Sequence, residues 1–308
     1  MTSIGVALST PGSGNAVDYV VESARTAKRS GLSGIWLGQR FDYDAIALAG
    51  IVGREVEGIS VGTSAVPIFG RHPLIVAAQA QTAQAATHGR FHYGIALGAA
   101  SLTEQTFDVE FRRPAKRLED FLTITRDVFV NGGVDYRGSE ITAVSPIPTA
   151  LPGATPAPPL LVAALGPRAL EVSGRLADGI LPFLAGPKAL DGHIIPTVEQ
   201  AAATAGRPAP RVVALVPALV TDDAGAGRDA LAAATEFYEQ IPSYQRAIEL
   251  SGAKKAVELG LVGSADKVLA GLRDYLAAGA TEIVLTQTEL LGPDIQRATW
   301  ETAAALGR

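Results

Sequence analysis

Residues 62–98 read GTSAVPIFGRHPLIVAAQAQTAQAATHGRFHYGIALG. An apolar run from Ile59 to Val66 ends in a loop broken by Pro67, Gly70 and Pro73. Leu74 to Thr87 is rich in Ala and Gln and reads as a helix. A His88-Gly89-Arg90 turn then leads into a second apolar run, Arg90 to Leu97. Strand, crossover helix and parallel strand make one βαβ unit. In sheets and barrels of such units, ligands gather at the carboxyl ends of the strands. Those ends are Thr63-Ser64-Ala65-Val66-Pro67 and Leu97-Gly98-Ala99-Ala100-Ser101. Both are small and uncharged, which suits a flat aromatic ligand lying against backbone better than a charged catalytic cluster.

The same rhythm extends in both directions. Upstream, Ile4–Leu8 is a first strand, and Asp18–Ser30 is a helix with Val17, Val20, Val21, Ala24 and Ala27 on one face, ended by Gly31. Gly34–Gly38 is a second strand, followed by Gln39-Arg40-Phe41-Asp42-Tyr43 and a helix capped by Asp44. Downstream, Thr103–Phe111 is read as a lid or loop, and Pro114–Val130 as an amphipathic helix with Leu118, Phe121, Leu122, Ile124, Thr125 and Val128 inside. Val134–Gly138 reads as a small hairpin. The prolines from Pro146 to Pro159 read as a rigid surface connection, because the alternation resumes after them. Leu160–Ala164, Gly179–Leu184, Arg211–Thr221 and Glu282–Thr286 are the remaining strands, with an insertion at 238–259. About eight buried strands alternating with helices predict an α/β chain, a (β/α)8 TIM barrel with insertions after strands 4 and 7, as one domain over 1–308. The competing architecture is a doubly wound open sheet.

Composition narrows the function. The chain is 47% hydrophobic with a net charge of -5 and 19% charged residues, so it can bury a large core and carries no basic surface for nucleic acid. Cysteine is absent, which excludes disulfides and thiolate catalysis. The start, MTSIGVALST, lacks the basic and apolar regions of a signal peptide, and no run is long enough for a membrane span; a cytoplasmic location is expected. No dinucleotide-binding glycine motif follows the first strand, and no phosphate-loop, metalloprotease or nucleophile-elbow motif occurs.

The histidines, His72, His88, His92 and His193, show no metal-ligand spacing; His88 and His92 are separated by Gly89 and a strand start, so no metal site is expected. His72, just past the third strand, is read either as a cap of the next helix or as a group lining the pocket. His88 suits a helix C-terminus. Arg40 and Arg71 have two readings, partners of surface carboxylates or of an anionic ligand.

Taken together, Gly62–Pro67, Arg71-His72-Pro73, Ala77-Ala78-Gln79, Gly89-Arg90-Phe91 and Gly94-Ile95-Ala96 resemble the bacterial luciferase-like flavin and deazaflavin oxidoreductases. Pro114–Glu119, Val162–Ala169 with Gly174–Gly179, and Leu261–Ser264 with Leu276–Thr281 continue the likeness in order along nearly the whole chain. The combination is most similar to the branch that uses coenzyme F420, a deazaflavin. The resemblance implies a non-prolyl cis peptide in a bulge at the end of the third strand, here Ser64–Ala65, backing the ring. It implies a ring seat of Gly38, Gln39, Ser64, Ala65, Val66, Leu97, Gly98 and Ala99. A phosphate seat follows at Ala163, Ala164, Leu165, Gly166, Pro167 and Arg168, where a helix N-terminus offers free N–H groups. It also implies a homodimer through helices near strands two to four.

One departure stands out. Sugar-phosphate dehydrogenases of this branch carry a histidine after strand two and a glutamate after strand four; this chain has Gln39 and Ala99 there. Neither can transfer a proton: Gln39, as a hydrogen-bonding group to ring or substrate, and His72 are the candidate catalytic residues, and a proton would come from His72, Tyr43, Glu104, Asp42 or water. The implied activity is F420-dependent hydride transfer, at C5 of the deazaflavin, to or from a small hydrophobic substrate walled by Phe41, Phe69, Phe107 and Phe183. The alternatives are an FMN-dependent monooxygenase and a non-catalytic flavin or deazaflavin carrier.

Overall fold

A computed structural model describes residues 2–307. In chain order its strands are β1 (Ser3–Leu8), β2 (Gly34–Leu37), β3 (Ser60–Thr63), β4 (Val66–Pro67), β5 (Phe91–Ala96), β6 (Asp135–Arg137), β7 (Thr142–Val144), β8 (Leu160–Ala163), β9 (Gly179–Ile180), β10 (Arg211–Val220), β11 (Leu261–Gly263) and β12 (Glu282–Thr286). The helices are α1 (Ala16–Arg29), α2 (Ala45–Glu55), α3 (Pro73–Ala86), α4 (Ala100–Phe107), α5 (Pro114–Asn131), α6 (Pro167–Leu176), α7 (Pro187–Ala189), α8 (Ile195–Thr204), α9 (Ala224–Thr235), α10 (Pro242–Leu250), α11 (Ala265–Ala277) and α12 (Pro293–Ala304). Contacts divide the described chain into two units, 2–36 with 181–199 and 211–307, and 37–180 with 200–210.

In the first unit β1 and β10 both pair in parallel with β12, and β10 also pairs with β11. Gly179–Leu184, read as one strand, is regular only over Gly179–Ile180, which belong to the second unit; within the first, Phe183 bridges Leu215. The positive φ of Leu184, 51°, ends the extended backbone there. The strand β11 is not among the strands expected from the sequence; its Leu-Val-Gly run is too short for periodicity to announce it. The insertion at 238–259 contains α10 and short helical turns.

In the second unit β3, β4, β8 and their neighbours form a parallel group around β5. The strand expected over Ile59–Val66 is broken in two. Gly62 pairs with His92 and Val66 with Ile95, so four steps on one strand oppose three on the other. One residue is extra, which defines a β-bulge at Ser64–Ala65. Below it Thr63, fully buried, donates its hydroxyl to the Gly94 carbonyl (2.8 Å) and accepts from the Gly94 N–H (2.9 Å). A side chain thus replaces the ladder bonds that the bulge removes.

The helix α5 buries Leu118, Phe121, Leu122, Ile124, Thr125 and Val128, the face its spacing predicts, and also Asp120. That carboxylate has no exposure and accepts from the Tyr136 hydroxyl (2.9 Å) and from the backbone N–H of Glu140 (2.8 Å) and Ile141 (3.1 Å). It thereby pins the β6–β7 hairpin to α5; a buried carboxylate is tolerable only with its lone pairs so occupied. No helix among the described residues is long and apolar enough to cross a membrane.

Candidate active site

The peptide bond Ser64–Ala65 is cis and not prolyl. The end of β2 holds the bulge from one side: Ser64 N–H donates to the Leu37 carbonyl (2.8 Å) and Gln39 N–H to the Ala65 carbonyl (3.4 Å). Immediately beyond, the 39–44 loop is closed on itself. The Gln39 amide nitrogen donates to the carbonyls of Arg40 (2.5 Å) and Tyr43 (2.6 Å), and its oxygen accepts from Ala45 N–H (3.1 Å). The Tyr43 hydroxyl donates to the Gly38 carbonyl (2.6 Å). Asp44 caps α2, accepting from Ile46 and Ala47 N–H, as its place before the apolar run predicts.

Beside this loop lies a cleft of about 570 Å³. Gln39, Arg40, Phe41, Asp42, Tyr43 and Asp44 form one side; Pro67, Phe69, Gly70 and Arg71 form another; Gly98, Ala99, Leu102, Thr103 and Phe107 close it. Of Thr103–Phe111, read as a lid or loop, residues 103–107 belong to α4, which begins at Ala100 and buries only Thr103, and 108–111 are not helical. Phe69 is itself buried, stacked on Phe111 (centroids 4.5 Å apart), with the Arg117 guanidinium 4.8 Å from its centroid. Phe183, the fourth aromatic wall expected, packs instead with Tyr238 and Tyr244 at 5.0 and 6.0 Å.

The acids around the cleft are committed. Arg40, hydrogen-bonded to Asp42 at 2.9 Å, keeps that carboxyl below its ordinary value. Burial pushes the Tyr43 phenol up; Arg40 opposes this and Asp42 reinforces it. Glu104 accepts from the N–H of Phe111 (3.1 Å). His72 caps α3: Nδ1 accepts from Leu74 N–H (3.3 Å), and Nε2, within 3.1 Å of the Thr142 carbonyl, donates to it. With both ring nitrogens so used and the ring outside the residues lining the cleft, the geometry supports the capping reading rather than proton transfer. Gln39 likewise serves its own loop.

A second pocket, about 500 Å³, is lined by Leu97, Arg113, Pro114, Ala115, Lys116, Gly166, Pro167, Arg168 and Ala169. It brings together the N-termini of α5 and α6, each starting with proline and neither capped by a side chain. In α6 the N–H groups of Arg168 and Ala169 precede the first intrahelical bond, Leu170 to Gly166, and a Cβ on Gly166 would meet nothing within 4 Å. Arg113 pairs with Glu140 (2.9 Å) and Lys116 with Glu119 (3.0 Å), whereas Arg168 is exposed and has no ion pair among the described residues. Two helix N-termini and an unpaired cation suit a phosphate. Arg113 and Lys116 were not foreseen here, although the Pro-Ala-Lys-Arg start of α5 signalled an uncapped, basic helix end.

Of the expected ring and phosphate residues, Gln39, Gly98 and Ala99 therefore line the cleft, and Leu97, Gly166, Pro167 and Arg168 line the second pocket. Ser64, Ala65 and Val66 form the bulge and its exit, with Gly38 beside them; Ala163, Ala164 and Leu165 end β8 and lead to α6. Small residues at the bulge and an open, uncapped helix end fit a planar ring carrying a phosphate. No cluster of three or more potential ligands among the described residues could hold a metal ion.

A parallel α/β chain with a bulged strand end, small residues beside it and two uncapped helix ends at one pocket offers a site that could hold a planar ligand bearing an anionic group. The family model of luciferase-like monooxygenases matches residues 1–282, and the chain belongs to that family. It is 26% identical over 169 residues to an F420-dependent glucose-6-phosphate dehydrogenase of Microbacterium testaceum, covering 53% of this chain and 49% of that one. Its fold is similar to that of the F420-dependent tetrahydromethanopterin reductase of Methanopyrus kandleri, at TM-score 0.77 and 20% identity over 98% of this chain and 97% of that one. It is equally similar, at TM-score 0.77 and 15% identity over 98% and 97%, to the FMN-bound oxygenating constituent of 3,6-diketocamphane monooxygenase from Pseudomonas putida. The fold class is thus the (β/α)8 barrel that the alternation of strands and helices predicts.

Proposed function

We propose that the chain is a coenzyme F420-dependent oxidoreductase. The ring would rest on the Ser64–Val66 bulge and on Gly98 and Ala99, and a phosphate would sit on the N–H groups of Arg168 and Ala169 with the Arg168 guanidinium. When bound, the deazaflavin supplies or accepts a hydride at C5. The protein's part is to hold the ring against backbone and keep the cleft dry. The 39–44 loop, locked by Gln39 and Tyr43, positions one wall.

The observation that carries this reading is the pairing of an uncharged bulge with a pocket at two uncapped helix ends, whose Arg168 has no ion pair among the described residues. The F420-dependent relative supports the choice of deazaflavin. The test is a fluorescence titration of the protein with F420 and with FMN, followed by turnover of the reduced cofactor with ketones and enones. Tight F420 binding with sustained turnover is expected. Preference for FMN with oxygen consumption would instead make it a monooxygenase, and binding without any turnover a carrier.

We further propose a homodimer through the outer faces of α2 and α3. A groove of about 580 Å³ there includes Ile51, 42% exposed, and the buried side-chain oxygen Oε1 of Gln79, which has no hydrogen-bond partner among the described residues. Sedimentation equilibrium should give twice the chain mass, and an Ile51→Asp variant should sediment as a monomer.

A further inference from the structure

The cleft separates charge from apolar surface in a way that selects a substrate. Each of its cations already faces a carboxylate: Arg40 lies 2.9 Å from Asp42, and Arg71 lies 3.4 Å from Asp44. The Gln39 amide and the Tyr43 hydroxyl are spent on backbone. Each pair is neutral as a unit, so the cleft presents no lone counter-charge to an anionic or a cationic substrate. The rim is the opposite. Phe41, 73% exposed, meets Phe107, 41% exposed, edge to face with centroids 6.2 Å apart, and Leu102 beside them is 44% exposed. Single exposed apolar residues are ordinary, but three on the rim of one cleft form a patch with a purpose. Gly70 makes room for it. Its φ is +74°, and a Cβ there would come within 3.1 Å of the Phe107 ring.

We propose that this cleft takes a neutral aromatic or alicyclic compound, and that Phe41 and Phe107 determine that preference by presenting their edge-to-face pair to its ring. This rests on the oxidoreductase reading for the reaction but not for the binding. Charge is handled elsewhere, at Arg168, so a phosphate on the cofactor and a neutral ring on the substrate do not compete for one site. Aromatic residues present area at small entropic cost and favour edge contacts with a ring.

The test uses Prodan, a neutral aromatic ketone whose emission shifts to the blue in apolar surroundings, added to the full chain without cofactor. Saturable, blue-shifted binding is expected. Phe41→Ala and Phe107→Ala should each weaken it about tenfold or more, the loss expected for one aromatic contact with its buried area. Naphthalene-2-sulfonate, of similar shape but anionic, should not compete. With reduced cofactor, kcat/KM for cyclohexanone should exceed that for its 4-carboxylate by a factor on the order of 100. Equal binding of the sulfonate, or full Prodan affinity in both variants, would overturn the proposal. So would a change in sedimentation of Phe41→Ala with Prodan binding intact, which would assign the pair to a subunit contact. Failure of the cofactor titration with Prodan binding as expected would sink the oxidoreductase reading and leave this one standing.

Discussion

Replacing Thr63 by Val tests whether a side chain truly stands in for sheet bonds under the bulge. The substitution keeps the shape and removes the hydroxyl. Thr63 has no exposure, and its oxygen serves both the carbonyl and the N–H of Gly94. Valine leaves those two backbone groups buried and unpaired, at about 1–3 kcal/mol each. A total of about 3 kcal/mol corresponds to a fall of roughly 6 °C in Tm, at about 2 °C per kcal/mol for a chain of this size. Thr63→Ser retains the oxygen and loses one methyl, about 1 kcal/mol or roughly 2 °C. Thermal unfolding followed by circular dichroism resolves the two. A valine variant within about 1 °C of the parent, or a serine variant as damaged as the valine one, would refute the bonding scheme. Because the strand ends in the ring seat, the valine variant should also bind F420 more weakly than the serine variant.

Other consequences are separable from this one. His72→Ala removes the cap of α3 and should cost about 1 kcal/mol, read as a Tm loss of roughly 2 °C, with kcat within twofold of the parent; a loss of kcat on the order of 100-fold would restore His72 to the chemistry. Arg168→Gln should weaken F420 binding about tenfold and flatten its salt dependence, measured by fluorescence titration at two ionic strengths. Lys116 and Arg175 hold the Glu119 carboxyl below its ordinary 4.5. A lowered folded-state pKa contributes stability that is present above 4.5 and lost as pH falls through the folded value, so Glu119→Gln should be less stable than the parent at pH 7 and converge with it below pH 4.5 in urea unfolding.

Much of this molecule was legible in one dimension. Apolar runs placed most of the strands, and helical spacing the buried face of α5, because burial demands them regardless of neighbours. The helix start at Asp44 was equally plain, and a cap was one of the two readings of His72, since a cap answers to N–H groups two or three residues away. The cis bond at Ser64–Ala65 came from family likeness, and the small residues beside it are local features.

What the order of residues could not disclose are the partnerships made across space. Gln39 and His72 read as catalytic candidates; the structure adds that Gln39 bonds its own loop and that His72 bonds its helix and the Thr142 carbonyl. Arg40 and Arg71 looked equally available to a ligand; each has a carboxylate within hydrogen-bonding or ion-pairing reach, whereas Arg168 has none among the described residues. Phe107 joined Phe41, while Phe183 joined Tyr238 and Tyr244. Local propensity acts through backbone dihedrals and near neighbours, so sequence alone determined the elements. Hydrogen bonds and ion pairs fall off within a few ångströms, so only the tertiary structure decided which polar groups are spent and which remain to meet a ligand.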